Sequence, residues 1–225
     1  MKSNLSLCEL NAAKEEITSF LKKLEELDNN SFLSKQSNKD FIMFLAKKIM
    51  FLKYLYQADV KYPLAVLISD FFFLILSIIK SEIRYIYLNE RSIIENFTRY
   101  IMEVPLEDSY VTYTLLEQMN QKFFKHTTSQ SDFSLIKGEY STACNYVHGG
   151  EKLEKSLISV LAEYTEHKIM IEQQSLYANM IKLINIFIHI IVSCRLEVID
   201  SCFHRKKSVL RYLIGKSIIT YHEKQ

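Results

Sequence analysis

Arginines recur at helical spacing in the segment SEIRYIYLNERSIIENFTRYIM, residues 81–102, although none occurs among the first 83 residues. At about 100° per residue on an α-helix, Arg84, Arg91, Glu95 and Arg99 fall within about 80° of one another and form one stripe. Guanidinium groups on such a stripe can bind phosphate through paired hydrogen bonds, and a carboxylate between them can orient them. The pattern equally fits a solvated face, whose i,i+4 ion pairs would each contribute only a few tenths of a kcal/mol.

A histidine stands beside the chain's only paired glycines in CNYVHGG, residues 144–150. On a helix, Tyr140, Cys144 and His148 are successive i,i+4 neighbours. Gly149 predicts a left-handed C-cap, where a histidine is favoured because its cation meets the negative end of the helix dipole. The chemical alternative is that His148, beside polar Asn145, exchanges a proton at neutral pH or binds a phosphate. The residues alone favour the capping role.

Taken together, RSIIE (91–95) in one helix and YSTACNYVHGG (140–150) in a later helix resemble the HEPN superfamily of helical, nucleotide-binding domains. The resemblance is closest to the divergent bacterial branches associated with phage defence and abortive infection. It covers about residues 62–200. It implies an up-and-down helical bundle that is often dimeric and that, in many members, is a metal-independent ribonuclease.

The resemblance also implies catalytic roles. Active members carry an arginine about four to six positions before the histidine, whereas residues 140–147 here read YSTACNYV. It follows that Arg91 or Arg99 supplies this cation from the neighbouring helix, or that the domain is an inactive binder. In an active domain, His148 would be the general acid or base for attack by a ribose 2′-hydroxyl. Arg91 would stabilise charge on the phosphate, and Glu95 would hold Arg91 in place.

Further residues and partners follow from the same resemblance. Asn145 joins the catalytic set, and Arg99, Arg84 and Tyr140 are the expected substrate-binding residues. RNA or a nucleotide is the expected ligand, without a cofactor or metal ion, and a homodimer or a protein partner from the same defence system is expected. A shared phosphate requires His148 to lie within about 12 Å of Arg91 or Arg99.

Three other motifs are weaker. Cys144 with His148, and Cys202 with His204, offer two metal ligands each, but no four-ligand set follows from the sequence. The GKS at 215–217 lacks the first glycine of a phosphate-binding loop. The basic stretch HRKKSVLRYLIGK (204–216) fits contact with nucleic acid or a partner helix, and it also fits a solvated terminal helix.

Composition favours helices throughout. Hydrophobic residues make up 48% of the 225 residues, whereas the chain has only 4 Gly and 2 Pro, which disfavours turn-rich all-β folds. The net charge of +2 gives no global electrostatic reason to expect nucleic acid or an acidic membrane as a partner. The cysteines lack a CxxC spacing and the N-terminus lacks the layout of a signal peptide, so a cytoplasmic location is expected.

Hydrophobic periodicity and proline positions predict the helices. The segment from Leu5 to Leu27 is amphipathic, and a second helix is expected at about 40–58, capped by Asn38 or Asp40. Pro63 suits the first turn of a third helix, which meets no Gly or Pro until Pro105. That helix would span about 40 residues, or about 60 Å, unless it breaks near Ser81. Shorter helices are expected at about 108–125, 131–148, 151–172, 174–201 and 205–222.

The expected fold is a single all-α domain over residues 1–225, a multi-helix up-and-down bundle with one long central helix. Helices within 5–58 and 205–222 would pack on the core. The apolar stretches 64–79 and 180–194 are shorter than the roughly 20 apolar residues of a membrane span and carry polar breaks, so buried core helices are expected.

Two alternative functions remain open from the sequence. The first is a non-catalytic helical module that binds a protein partner or forms a homodimer through its apolar helices. The second is a membrane-associated protein that uses the stretch 64–79. A membrane is not expected as a partner.

Overall fold

The computed structural model describes residues 2–105, 113–124, 130–148, 156, 158–159 and 169–215. In these ranges the chain forms nine α-helices, one short 3-10 helix and no strand, which confirms the all-α prediction. The helices are α1 (Lys2–Leu27), α2 (Gln36–Ala58), α3 (Tyr62–Ile79), α4 (Ile83–Met102), α5 (Tyr113–Phe123), α6 (Gln130–His148), α7 (Ile169–Cys194), α8 (Leu196–Phe203) and α9 (Lys207–Ile214).

Aromatic side chains form the centre of the bundle. Phe97 of α4 stacks on Phe187 of α7 with ring centroids 4.8 Å apart, and Phe71 of α3 meets Phe97 edge-on at 6.2 Å. All three rings are fully buried. The α3–α4 pair packs against α2 on one side, and α4 packs against α6 and α7 on the other. The terminal helices α1 and α9 both pack on α2.

The long central helix predicted from Pro63 to Pro105 is two helices, so that prediction is wrong in length. The break lies at Ser81, the position that the sequence left open, where φ is 60°. The amides of Ser81 and Glu82 donate to the carbonyls of Ile78 and Ser77 and so close the end of α3. The chain then reverses direction, and α4 returns along α3 instead of continuing away from it.

Side-chain contacts show that α3 and α4 are antiparallel. Asn89 near the start of α4 contacts Ser77 near the end of α3, whereas Asn96 further along α4 contacts Asp70 earlier in α3. This hairpin places the middle of α4 between α3 and α6. The arginine stripe of α4 therefore lies beside α6, the helix that carries the histidine.

Other predicted boundaries also differ. The α2 helix begins at Gln36, and Asn38 is buried inside it rather than capping it: its amide donates to the Phe32 carbonyl, and its oxygen accepts from Gln173 and Tyr177. The α7 helix begins at Ile169 and runs without interruption through the boundary expected between the predicted helices 151–172 and 174–201.

The helix predicted over 174–201 is divided at Arg195, where α7 ends and α8 begins. Pro63 lies in the first turn of α3, as predicted. The expected C-cap at Gly149, most of the helix expected at 151–172, and residues 216–217 of the GKS motif lie outside the described residues.

Among the residues that the structure describes, two helices are long and apolar enough to cross a membrane by length and composition alone. The windows Tyr62–Ile79 and Gln173–Cys194 have mean hydropathies of 2.2 and 1.6, and 44% and 50% of them, respectively, are buried within the fold. Both helices therefore contribute to the core, as expected, and each also has an exposed side. On α3 this exposed side carries Phe72 and Phe73.

Candidate functional site

The end of α6 meets the first half of α4 at a contact between an arginine and a histidine. Arg91 Nη1 lies 3.1 Å from His148 Nε2, although the residues are 57 positions apart in sequence. A guanidinium group can only donate, so His148 Nε2 accepts, and the proton of the neutral ring is on Nδ1. The two residues that the sequence paired are therefore in direct contact, well within the distance that a shared phosphate requires.

Glu95 holds Arg91 from the next turn of α4. Its Oε1 atom accepts from Arg91 Nε at 2.9 Å and from the Tyr140 hydroxyl, also at 2.9 Å. The Arg91 and Glu95 side chains are only 28% and 25% exposed, and the Arg91 guanidinium lies 6.0 Å from the centre of the Tyr140 ring. Arg91 is thus fixed on one edge by Glu95 while another nitrogen contacts His148.

The electrostatics of this cluster keep Arg91 charged and Tyr140 neutral. The hydrogen bond that Arg91 donates to Glu95 raises the pKa of Arg91 above its ordinary value, so the guanidinium stays charged. Burial raises the pKa of Tyr140 well above its ordinary value, and the negative charge of Glu95 raises it further. Tyr140 therefore remains a hydrogen-bond donor to Glu95 rather than becoming a phenolate.

Arg84 joins the start of α4 to the last turn of α6. Its Nη2 atom donates to the carbonyl of Val147 at 3.1 Å, which places a cation at the negative end of the α6 dipole. Close by, Tyr87 of α4 stacks on Tyr146 of α6, with ring centroids 3.8 Å apart. These contacts pair residues early in α4 with residues late in α6, so the two helices are antiparallel.

Two predicted site residues lie further from this contact. Arg99 is eight residues after Arg91, about 12 Å along the axis of α4. Because α4 and α6 are antiparallel, this displacement leads away from His148, so Arg91 and not Arg99 is the arginine that reaches the histidine. Asn145 is exposed on α6, about one turn before His148.

The sequence missed a polar cluster that lies beside Glu95. Asp70 of α3 accepts hydrogen bonds from Ser92 Oγ at 2.7 Å and from Asn96 Nδ2 at 3.3 Å, both on α4. Burial raises the pKa of Asp70 to about 6; these two hydrogen bonds oppose the rise, and the charge of Glu95 adds to it. The i,i+4 pair of Ser92 and Asn96, next to Arg91 and Glu95, was the signal that could have revealed this cluster.

A buried carboxyl pair between α4, α6 and α7 was also missed. Glu90 is 1% exposed and faces Glu139 of α6, which accepts a hydrogen bond from Asn179 of α7 at 2.8 Å. Burial raises the pKa of Glu90 well above its ordinary value, and the nearby charge of Glu139 raises it further. Two carboxylates cannot hydrogen-bond to each other, so both oxygens of an ionised Glu90 lack a partner, whereas a protonated Glu90 can donate to Glu139.

In the described part of the chain, no group of three or more His, Cys, Asp and Glu side chains could hold a metal ion. Of the pairs considered from the sequence, Cys202 donates to the Tyr54 carbonyl, and His204 pairs with Asp200 at 3.4 Å. The residues that meet at the α4–α6 contact are instead suited to an anion, because they offer a fixed guanidinium whose N–H groups donate.

Comparison of the chain with known proteins found no match. No family model matches the chain, and neither a curated protein nor a solved structure matches it. The HEPN resemblance therefore depends on the residues of the two motifs alone. The chemistry of the site must be argued from its own geometry.

Proposed function

We propose that this chain is a HEPN-like protein of a bacterial defence or toxin system that binds RNA and cleaves it without a metal ion. The contact of Arg91 Nη1 with His148 Nε2 at 3.1 Å carries the proposal. It joins a permanent cation to a group that can exchange a proton at neutral pH, and these are the two parts that phosphodiester cleavage by a ribose 2′-hydroxyl needs.

The geometry supports a specific first step. An RNA phosphate binds the Arg91 guanidinium through its non-bridging oxygens and displaces His148 Nε2 from it. The freed nitrogen accepts the proton of the 2′-hydroxyl, O2′ attacks the phosphorus, and the bond from phosphorus to O5′ breaks. The products are a 2′,3′-cyclic phosphate and a 5′-hydroxyl, whose proton comes from solvent.

Cleavage assays with matched controls test this function. Arg91→Ala and His148→Ala should each lower the cleavage rate of a labelled single-stranded RNA, in the presence of EDTA, by about 100-fold or more. Arg205 and His204 are exposed and lie between α8 and α9, so Arg205→Ala and His204→Ala should cleave as the wild type does. Equal cleavage by all four variants would overturn the assignment of the site.

Binding measurements separate an enzyme from an inactive binder. If the wild type binds RNA without cleaving it, and Arg91→Ala loses that binding, the site recognises RNA phosphate but does not catalyse. Electrophoretic mobility shifts on the same RNA distinguish the two outcomes. A wild type that neither binds nor cleaves RNA would contradict both forms of the proposal.

The second candidate is a non-catalytic module that forms a homodimer or binds a protein of the same system. The exposed side of α3 favours it, because Phe72 is 39% and Phe73 is 57% exposed, and exposed aromatic neighbours are typical of interaction surfaces. Sedimentation velocity tests it. A dimer that dissociates in Phe73→Ser would support the module, and the same monomeric state for both proteins would exclude a homodimer through this face.

A further inference from the structure

An open cleft of about 530 Å³ lies between α5 and α6, the helix that also carries His148. Its lining carries the rings of Tyr113 and Phe133, the amides of Asn120 and Gln130, and the hydroxyl groups of Ser134 and Ser141, around Gly138. Gln130 Nε2 donates to Asn120 Oδ1 at 3.4 Å and Ser134 Oγ donates to the Gln130 carbonyl at 2.9 Å, so part of this hydrogen-bonding capacity is used within the protein. The lysine and the glutamate of the lining pair with each other: Lys137 Nζ lies 2.7 Å from Glu117 Oε1. The cleft is therefore polar but has no net charge of its own.

The cleft and the Arg91–His148 contact lie on the same face of α6, and a pair of aromatic rings connects them. Ser134, Gly138, Ser141 and His148 fall within about 80° of one another on α6, and about 10 Å of helix separates Ser141 from His148. Tyr113 packs edge-on against Tyr140 with ring centroids 5.5 Å apart, and Tyr140 donates to Glu95. A ligand bound at Arg91 can therefore extend along α6 into the cleft.

Gly138 lines the cleft at an exposed position of α6. A glycine within a helix lowers stability by about 0.5–1 kcal/mol relative to alanine, so it usually occurs where another group packs closely against the helix. Here a Cβ atom at position 138 would meet no atom within 4 Å. Packing within the protein therefore does not require glycine, and the space that it leaves belongs to the cleft.

We infer that this cleft binds the base and ribose of a nucleotide adjacent to the phosphate held by Arg91 and His148, so that the ligand is single-stranded RNA. Amide and hydroxyl groups match the donors and acceptors of base edges, and the Tyr113 ring offers a surface for stacking. An uncharged lining suits a base rather than a second phosphate. The bases of a duplex are stacked inside it and cannot enter. The inference depends on the proposed function, because the phosphate site fixes the neighbouring nucleotide.

Binding of a 2′-fluoro RNA octamer tests the cleft without cleavage, because this probe has no 2′-hydroxyl. Gly138→Leu fills the cleft and suits a helix, so it should weaken binding about tenfold in fluorescence anisotropy. Ser131→Leu adds the same side chain to an exposed position of α6 outside the cleft lining and should bind as the wild type does. Tyr113→Ala, which leaves α6 unchanged, should also weaken binding about tenfold.

An octamer in which every base is removed separates recognition of bases from recognition of phosphate. The wild type should bind this abasic octamer more weakly than the octamer with bases, and Gly138→Leu should bind it as the wild type does. If Arg91→Ala loses binding to the octamer with bases while Gly138→Leu and Tyr113→Ala do not, the cleft inference is wrong and the proposed function stands. A wild type that binds neither octamer overturns the proposed function, and the cleft inference with it.

Discussion

At the scale of single residues, Glu95 determines where the cation of the site is held. One oxygen of Glu95 accepts hydrogen bonds from both Arg91 and Tyr140, so the three side chains, from α4 and α6, are held in fixed positions relative to one another. An arginine without this carboxylate would sample several rotamers, and only some of them contact His148. In the proposed ribonuclease, Glu95 would therefore be a positioning residue, and its effect on activity should exceed its effect on stability.

Replacing Glu95 by Gln keeps the shape of the side chain and removes its charge. We expect kcat/KM for RNA cleavage to fall about tenfold, mostly in kcat, because Arg91 would still bind phosphate but less often in the productive orientation. The free energy of unfolding should change by less than about 1 kcal/mol, since partly exposed ion pairs contribute little. Glu16→Gln, which removes the carboxylate of the exposed pair with Lys53, is the matched control. Full activity in Glu95→Gln would show that Arg91 needs no orienting partner.

At the scale of the helices, the α3–α4 hairpin brings a carboxyl group into a partly buried position. The pKa of Asp70 is raised from 3.8 to about 6, so the folded state binds its proton more tightly than the unfolded state does. Stability is therefore expected to fall as the pH rises from about 4 to about 6 and then to level off. The hydrogen bonds from Ser92 and Asn96 limit this loss without cancelling it.

Asp70→Asn removes this titration and keeps an acceptor for Ser92. Urea unfolding at pH 4.5 and pH 7.5 should show that the wild type loses about 1 kcal/mol more stability between these pH values than the variant does, after allowance for the partial exposure of Asp70. Asp40→Asn, at an exposed position of α2 where the side chain accepts from the neutral Gln36 amide, should leave the pH dependence unchanged. Parallel pH profiles for the wild type and Asp70→Asn would contradict the expected effect of burial.

The helices were largely predictable, and their packing was not. Periodicity and proline positions predicted the helical content and the start of α3, but no residue type marks the break at Ser81, where a serine takes a left-handed conformation that glycine usually occupies. The break decides that α4 returns along α3. From local patterns alone, the antiparallel contact of α4 with α6 therefore could not be derived.

The candidate site was predicted in part. Arg91, Glu95 and His148 have side chains whose chemistry and spacing are visible in the sequence, and they meet as expected. In the sequence, Asp70 is only a polar break in the apolar stretch 64–79, and no pattern marks Glu90, because a carboxyl group is rarely fully buried. Acidic residues acquire unusual pKa values from burial by other helices, which a linear pattern does not contain.

At the scale of the whole molecule, charge balance makes any RNA recognition local. The chain has 28 Lys and Arg against 26 Asp and Glu, so the net charge is only +2. Such a protein cannot hold RNA through a general positive field. Affinity must come from a few placed cations, and Arg84 and Arg91 both lie where α4 meets α6.

The salt dependence of binding reports how many cations contact the RNA. If two or three phosphates are neutralised, the logarithm of the affinity for the 2′-fluoro octamer should fall with the logarithm of salt concentration with a slope of about −1.5 to −2. Arg91→Ala should make this slope shallower by about 1, and Arg205→Ala should not change it. The contrary outcome is a slope steeper than about −4 that Arg205→Ala reduces and Arg91→Ala leaves unchanged. That result would place the RNA on the basic stretch 204–216 instead. Fluorescence anisotropy between about 50 and about 300 mM salt distinguishes the two surfaces, because phosphate contacts weaken measurably over this range.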